Sequence, residues 1–564
     1  MTTVAPVHEY FTAAEELGRF ELGERTVPAT GYQLGQRQTF HTTEGLREAE
    51  LVYLDALVAY WVEIGLEIDQ AALAAAADRL QTTYYPLLSY RFGQEWTPGV
   101  DGDPRFHVLH VLGAADTHEL GYFSDENQYP PALFAQSNAR EMVYLNMTRL
   151  TAGTPLYDGT LVHEIQHLIQ WNLDANEEKW LNEGLSQVAE TMAGLDTIDP
   201  RLYLEQTHVP LNQWGAGAPD VYAHYGASYL YLLYLWEQLG DDALAELARH
   251  PANGLAAVRA VLAGHRPDRS LEEITADWAT ALYLDGETDD PRFALAAIEL
   301  PQPFFANRVR QLPFVATAAV EQYGVDVIDL DFSGQGRISF AGDTTAPLFD
   351  APPGEPAWYA PPANGSRQQL SAAVDLTGLS GATLSFSAWY DLEPGFDYAY
   401  LSVSDDGGAT WRPLSPNHAT VGAYGPAWGG RSAAAGDQAG GWVNEAINLD
   451  AYGGRPILLR FDVTTDFEES GGGFALSELT IPELAVQPVW QPAGFVETGA
   501  LLPQQWAVRL IVDGDTPQVI PLALDGMNRG QLEVELGSDG GALLVMALTP
   551  GARRTADYWL AVEQ

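Results

Sequence analysis

His163-Glu164-Ile165-Gln166-His167 and, a short way on, Trp180-Leu181-Asn182-Glu183-Gly184 decide how this chain is read. On a helix, residues four apart lie on one face, so both imidazoles can reach one ion. Leu161, Ile165, Leu168 and Ile169 form an apolar stripe that supports a helix, with Asp158 or Thr160 as its cap. Glu164 then stands beside the histidines without being a ligand, placed to take a proton from a water activated at the metal. The five-residue pattern alone is weak, because an ordinary amphipathic helix can carry two histidines at this spacing. Glu183 strengthens it. It follows His167 by 16 residues, which allows a first helix ending near Trp171, a polar loop over 172–179, and a second helix returning past the metal. A catalytic zinc takes three protein ligands and keeps one open position, and His163, His167 and Glu183 meet that need. Asp174 is a rival ligand. Glu190 and Asp174 are candidates to orient the imidazoles.

Working outward, Glu48 to about 64 reads as two short strands, and Asp69 caps a helix running to about Tyr85. Phe106–Leu112 and Glu141–Met147 alternate as strands. From about 157 to 300 the pattern is helical, with clear segments at 226–239, 241–249 and 270–284. Leu300-Pro301-Gln302-Pro303 marks a linker, and beyond about 316 strands alternate with Gly, Pro and Asp turns. The expected fold is multidomain α+β. Residues 1–40 form an extension that wraps the next domain. A first domain covers 41–300, with a sheet part to about 150 and a helical part after it. A β-sandwich module covers 301–485, and a small C-terminal β domain covers 486–564.

An HExxH helix followed by W-L-N-E-G resembles the gluzincin zinc metallopeptidases, which include thermolysin and the aminopeptidase N family. The resemblance implies a zincin-type, thermolysin-like catalytic domain over about 45–290, zinc as cofactor, Glu183 as third ligand and Glu164 as general base. The shorter step to Glu183 makes the chain more similar to hyicolysin-like and immune inhibitor A-like proteins. Immune inhibitor A itself resembles the group using HExxHxxGxxD/H; here Gln170 and Leu173 occupy the last two of those positions, so that pattern fails. In the gluzincin fold an edge strand pairs with the substrate backbone. Carried over, Ser137-Asn138-Ala139 is that edge, and Asn138 and Ala139 hold substrate; an ordinary turn before a buried strand gives the same letters. The segment Asp220-Val221-Tyr222-Ala223-His224-Tyr225-Gly226 resembles the stretch that supplies a hydrogen bond to the oxyanion, with Tyr222 first in order, then His224, then Tyr225. The absence of a G-x-M-E-N segment favours an endopeptidase over an aminopeptidase.

The β-rich half, with alternating runs at Ala357–Tyr359, Asp375–Asp391 and Asp397–Trp411 and a hairpin signal at Asp405-Asp406-Gly407-Gly408, resembles the jelly-roll, MAM-like modules of immune inhibitor A-like peptidases. Calcium at Asp391, Asp397, Asp405 or Asp462 is an expectation for such loops, against the plainer reading of solvated turn acids. Glycan contact through exposed tryptophans is a further one.

The formal net charge of −48, with Lys179 the single lysine, excludes nucleic acid as a partner. No cysteine is present, so disulfides and thiolate chemistry are excluded. No apolar run is long enough to span a membrane. No leader is visible at Met1–Pro6, and a secreted bacterial protein acting on protein or peptide substrates is expected. The contrasting expectation is a non-catalytic adhesion or glycan-binding protein with a vestigial peptidase domain, or a zymogen whose residues 1–40 or β half cover the cleft.

Overall fold

The apolar alternation over residues 37–63 produces three consecutive strands, β1 (Arg37–Thr42), β2 (Gly45–Leu54) and β3 (Val58–Glu63), paired antiparallel. The computed structural model describes residues 5–18, 21–114, 119–195, 199–214, 221–432, 441–467 and 470–564. After β3 the chain crosses through helix α1 (Gln70–Arg79), whose cap Asp69 accepts from the amides of Ala71 and Ala72. It returns as β4 (Phe106–Val111), parallel to β3. β4 is buried along its whole length, as a parallel strand covered on both faces should be. β5 (Gly121–Phe123) and β6 (Met142–Asn146) complete a six-stranded sheet of order β1-β2-β3-β4-β6-β5. One face carries Phe40, Trp61, Leu109 and Tyr144; the other packs Val58, Tyr60, Val108 and Val143 against the helices.

The edge beside the helices is β5, antiparallel to β6, and this corrects the expected edge at Ser137–Ala139. Asn138 and Ala139 lie in the turn before β6, Ala139 with φ 47°. The Asn138 side chain is committed there: its oxygen accepts from the His41 amide at 2.9 Å, and its nitrogen donates to the His41 carbonyl at 2.9 Å and to the Tyr144 hydroxyl at 2.7 Å. It ties β1 to β6 instead of facing an open edge.

Helices α2 (Pro155–Leu173), α3 (Lys179–Met192), α4 (Val221–Leu239) and α5 (Leu271–Leu284) follow. The cap of α2 is Thr154, whose hydroxyl accepts from the Tyr157 amide, not Asp158 or Thr160. Pro155 supplies a first helical residue whose missing N–H costs nothing there. Asp158 is spent on Arg79, at 2.7 Å.

The domain boundaries expected near 301 and 486 do not match the strand pairing. Strands β7 (Phe314–Val320), β8 (Asp326–Leu330) and β9 (Gly334–Gly342) precede the jelly-roll module. They share sheets with β10 (Trp506–Val512), β11 (Arg529–Leu536), β12 (Gly541–Ala547) and β13 (Ala556–Glu563), which follow it: β7 and β9 pair with β13, β9 also with β11, and β8 with β12, which in turn pairs with β10. One sheet has the order β11-β9-β13-β7; in the other, β10, β12 and β8 are neighbours. The module, two five-stranded sheets over a core that includes Phe386, Trp428, Phe461 and Phe474, is therefore an insertion in a host sandwich. A short ribbon, Thr345–Pro347 paired with Leu501–Pro503, marks where the chain leaves and re-enters. Tyr323, Ile511, Leu544 and Met546 of the host join the same core as the helices, and Arg509 pairs with Asp277 of α5 at 2.5 Å.

Residues 5–18 do wrap, but mainly around the module. Val7 bridges Ser366, and Glu16 accepts from Arg367 at 2.8 Å and Arg460 at 2.9 Å. Tyr10 also meets Tyr129 and Phe134 of the first domain edge-on, at 5.6 and 5.2 Å.

Candidate metal centre

Four residues per step on α2 bring His163 and His167 to one face, and α3 returns so that Glu183 meets them. Ligand atoms of His163, His167 and Glu183 all lie within 4.8 Å of one another. Nε2 of His163 is 3.2 Å from Oε2 of Glu183, and Nε2 of His167 is 3.5 Å from the same oxygen. The other ring nitrogens point outward to fixed partners. Nδ1 of His163 is 2.7 Å from the buried carboxylate of Glu190. Nδ1 of His167 is 3.0 Å from Asn182 Oδ1 and 3.2 Å from Ser186 Oγ. Acceptors on Nδ1 fix the tautomer that leaves an Nε2 lone pair free, as metal-ligating histidines require. Two imidazole nitrogens and one carboxylate thus fit a tetrahedral ion with one position open.

Glycine explains how α3 comes so near. A Cβ at Gly184 would stand 2.9 Å from Leu232 and 2.9 Å from the carbonyl of Ser228, both on α4. The glycine after Glu183 lets the two helices touch. One turn before Ser228, Tyr225 reaches the site, its hydroxyl donating to Glu183 Oε1 at 3.3 Å. Trp214 packs edge-on against the Tyr225 ring at 4.7 Å. The structure places the other two oxyanion candidates differently. Tyr222, a further turn out, is 45 % exposed, and His224 is buried with Nδ1 3.1 Å from the Pro210 carbonyl. Asp220 lies outside the described residues. The signal for Tyr225 was the spacing 225, 228, 232, which shares the face that meets Gly184.

Glu164 is buried beneath the cluster, next to β5. A Cβ at Gly121 would lie 3.1 Å from Glu164 Cγ and 2.9 Å from Thr160 Cγ2, so the edge strand runs against the helix at this glutamate. Burial pushes the Glu164 carboxyl up to about 7, although His163 and His167 pull it down. Burial also opposes charge on His163, but the carboxylates of Glu183 and Glu190 outweigh it and hold the imidazole above its ordinary range. Burial raises Glu183 too, yet the two histidines overcome this and hold it below the usual carboxylate range. Asp174 takes no part in the cluster. It is buried in the turn between α2 and α3 beside Glu177, and burial pushes both carboxyls upward.

In the module, three of the four calcium candidates are matched by arginine. Asp391 pairs with Arg431, Asp405 with Arg412 and Arg455, and Asp462 with Arg367 and Arg460. Asp397, fully buried, groups with Glu393 and Asp466, with one oxygen of each within 4.8 Å of the others.

A constellation of this kind, beside the edge strand of a mixed sheet, defines a candidate metal-dependent site on an α/β domain. Residues 343–487 match the family model for the immune inhibitor A-like MAM domain, which supports an immune inhibitor A-like architecture for the β half. The chain is also 28% identical over 134 residues to the pre-pro-metalloprotease PrtV of two Vibrio cholerae serotype O1 strains, M66-2 and ATCC 39315 / El Tor Inaba N16961. That alignment covers 24% of this chain and 13% of PrtV. No helix among the described residues is long and apolar enough to cross a membrane.

Proposed function

We propose that the chain is a zinc-dependent endopeptidase with a zincin-type, gluzincin-like catalytic domain, acting on proteins outside the cell. The observation that carries this is the convergence of His163, His167 and Glu183 within 4.8 Å, with both Nδ1 atoms already engaged. His163, His167 and Glu183 would hold the ion, which when bound would polarise a water and the scissile carbonyl. Glu164 accepts the proton from that water and returns it to the leaving amine. Without an ion, burial pushes its carboxyl up to about 7; a bound cation would draw it down toward the ionised form that accepts a proton. The backbone of β5, one strand edge away from Glu164, is the surface on which an extended peptide adds as a further strand. Tyr225 steadies Glu183 and is the first choice of oxyanion donor, ahead of Tyr222 and His224. The printed name of PrtV, a metalloprotease, supports the same reading. A calcium role for the module narrows to Asp397 with Glu393 and Asp466.

The test is cleavage of a denatured protein by zinc-loaded wild type and Glu164→Gln, with bound zinc measured in both. Loss of about 10²–10⁴-fold in rate at unchanged zinc content is expected. Equal cleavage by the variant, or a zinc-loaded wild type that cleaves nothing, sinks the proposal.

A further inference from the structure

Strand alternation turns every second side chain of β13 outward. Tyr558 and Leu560 enter the host-sandwich core, whereas Trp559 faces out, 39 % exposed. The chain has 15 tryptophans, and among the described residues Trp559 is the most exposed of them. Its cross-strand neighbours are small: Thr317 on β7 and Ala341 on β9. The next level of the same face is Ala561 opposite Ser339, which in turn is opposite Gln531. The floor beside the indole is therefore recessed, and a groove of about 760 Å³ opens there, within the about 300–1,000 Å³ usual for small-ligand sites.

Its far wall is residues 523–530. That wall is preformed, because Asp525 Oδ1 accepts from the Met527 amide at 2.8 Å and the Arg529 amide at 3.0 Å. Arg529 and Gln531 stand exposed along the rim of β11. One broad aromatic face and a fence of mixed donors and acceptors suit a ligand with one apolar face and hydroxyls around its edge. A protein partner would need several apolar anchors over a wider area. Glu533, paired with Arg337, and Glu535 continue the exposed row on β11, and the chain's net charge of −48 disfavours polyanions.

We propose that this groove binds a neutral oligosaccharide, with one sugar ring stacked on Trp559 and its hydroxyls met by Gln531, Arg529 and Ser339. The site is independent of the metal centre, so its failure and that of the peptidase reading are separable. The full chain would be incubated with insoluble cellulose, chitin, xylan and β-1,3-glucan, and the bound fraction measured by depletion. Retention on at least one polymer is expected. Trp559→Ala should weaken it about tenfold or more, Trp559→Phe should keep most of it, and Gln531→Ala should weaken it less than Trp559→Ala. Each replaced side chain lies on the outer face, and circular dichroism and gel filtration of every variant check the fold and oligomeric state. Absence of retention on all four polymers overturns the proposal. So does retention that Trp559→Ala and Gln531→Ala both leave unchanged. A dimer that Trp559→Ala converts to monomer, without polymer binding by the wild type, identifies a second copy as the occupant and equally overturns it.

Discussion

Replacing Glu190 with Gln asks whether the imidazole of His163 is held for a metal. The carboxylate lies 2.7 Å from Nδ1 and is buried. The amide of Gln keeps the shape and can still accept a hydrogen bond, so the variant removes charge and little else. A charge-assisted hydrogen bond is about twice as strong as a neutral one. Loss of such an outer partner costs about 10–100-fold in metal affinity or activity, equivalent to about 1.4–2.7 kcal/mol. His167 offers an internal comparison, because its Nδ1 partners, Asn182 and Ser186, are already neutral. Asn182→Ala leaves Ser186 in place and should cost less. Competition for Zn²⁺ against a chromophoric chelator near neutral pH measures all three proteins. The expected order of affinity is wild type, Asn182→Ala, Glu190→Gln. Zinc affinity of Glu190→Gln within about threefold of wild type, well short of the usual range, would refute the reasoning, as would a larger loss in Asn182→Ala.

Other outcomes follow from the same geometry. Zinc uptake by the metal-free protein should release protons and weaken as pH falls, because Glu183 and Glu190 hold His163 in its charged form without metal; calorimetry in buffers of different ionisation enthalpy detects this. Gly184→Ala should lower the melting temperature, since overpacking against Leu232 and the Ser228 carbonyl costs about 1–3 kcal/mol and exceeds the roughly 1 kcal/mol of helix propensity gained. Tyr225→Phe should reduce the cleavage rate while leaving zinc content unchanged, whereas Tyr222→Phe should change neither rate nor zinc content; equal effects of the two would place the hydroxyl role elsewhere. Asp174 and Glu177 stay protonated in the folded chain at pH values where the unfolded chain has ionised them. The folded state binds more protons in that window, so stability falls as pH rises from the ordinary carboxylate range toward and past neutrality. Glu177→Gln should flatten that slope in urea unfolding between pH 5 and 8, taken as the span from about the carboxylate range upward, and an unchanged slope would show that the pair does not titrate as described.

The clustering of His163, His167 and Glu183 was legible because its geometry is local. A four-residue step on one helix needs no tertiary knowledge, and Asn182-Glu183-Gly184 adds a carboxylate followed by the small residue that a close helix pair demands. Glu190 was visible as an acid two turns after Glu183, though only the structure joins it to His163. The edge strand was not legible. Gly121–Phe123 is three residues long, too short to show alternation, whereas Asn138 sits before a convincing strand and drew attention to the wrong side. Tyr222 and Tyr225 differ by one turn, and only the packing of α4 on α3, with the Tyr225 hydroxyl 3.3 Å from Glu183 Oε1, shows which of them reaches the cluster. The host sandwich was read as two units because its strands pair across more than 150 intervening residues, as with Phe340 and Leu560; periodicity reports a strand but not its partner.

That interruption has a consequence for the order in which the protein takes shape. β13 is an inner strand, lying between β9 and β7, so β7 has no neighbour in that sheet, and β9 only β11, until residues 556–563 have been made. The inserted module has its own core and both of its sheets beforehand. During synthesis it can close while β7 to β9 wait with open edges, in the manner of a keystone course left until last. Completion of the host then also completes the wall against the helices, through Ile511, Leu544 and Met546. Final consolidation of the helices that carry His163, His167 and Glu183 is thereby tied to β10 and β12, both made after the module, and a chain stopped before them would lack that wall.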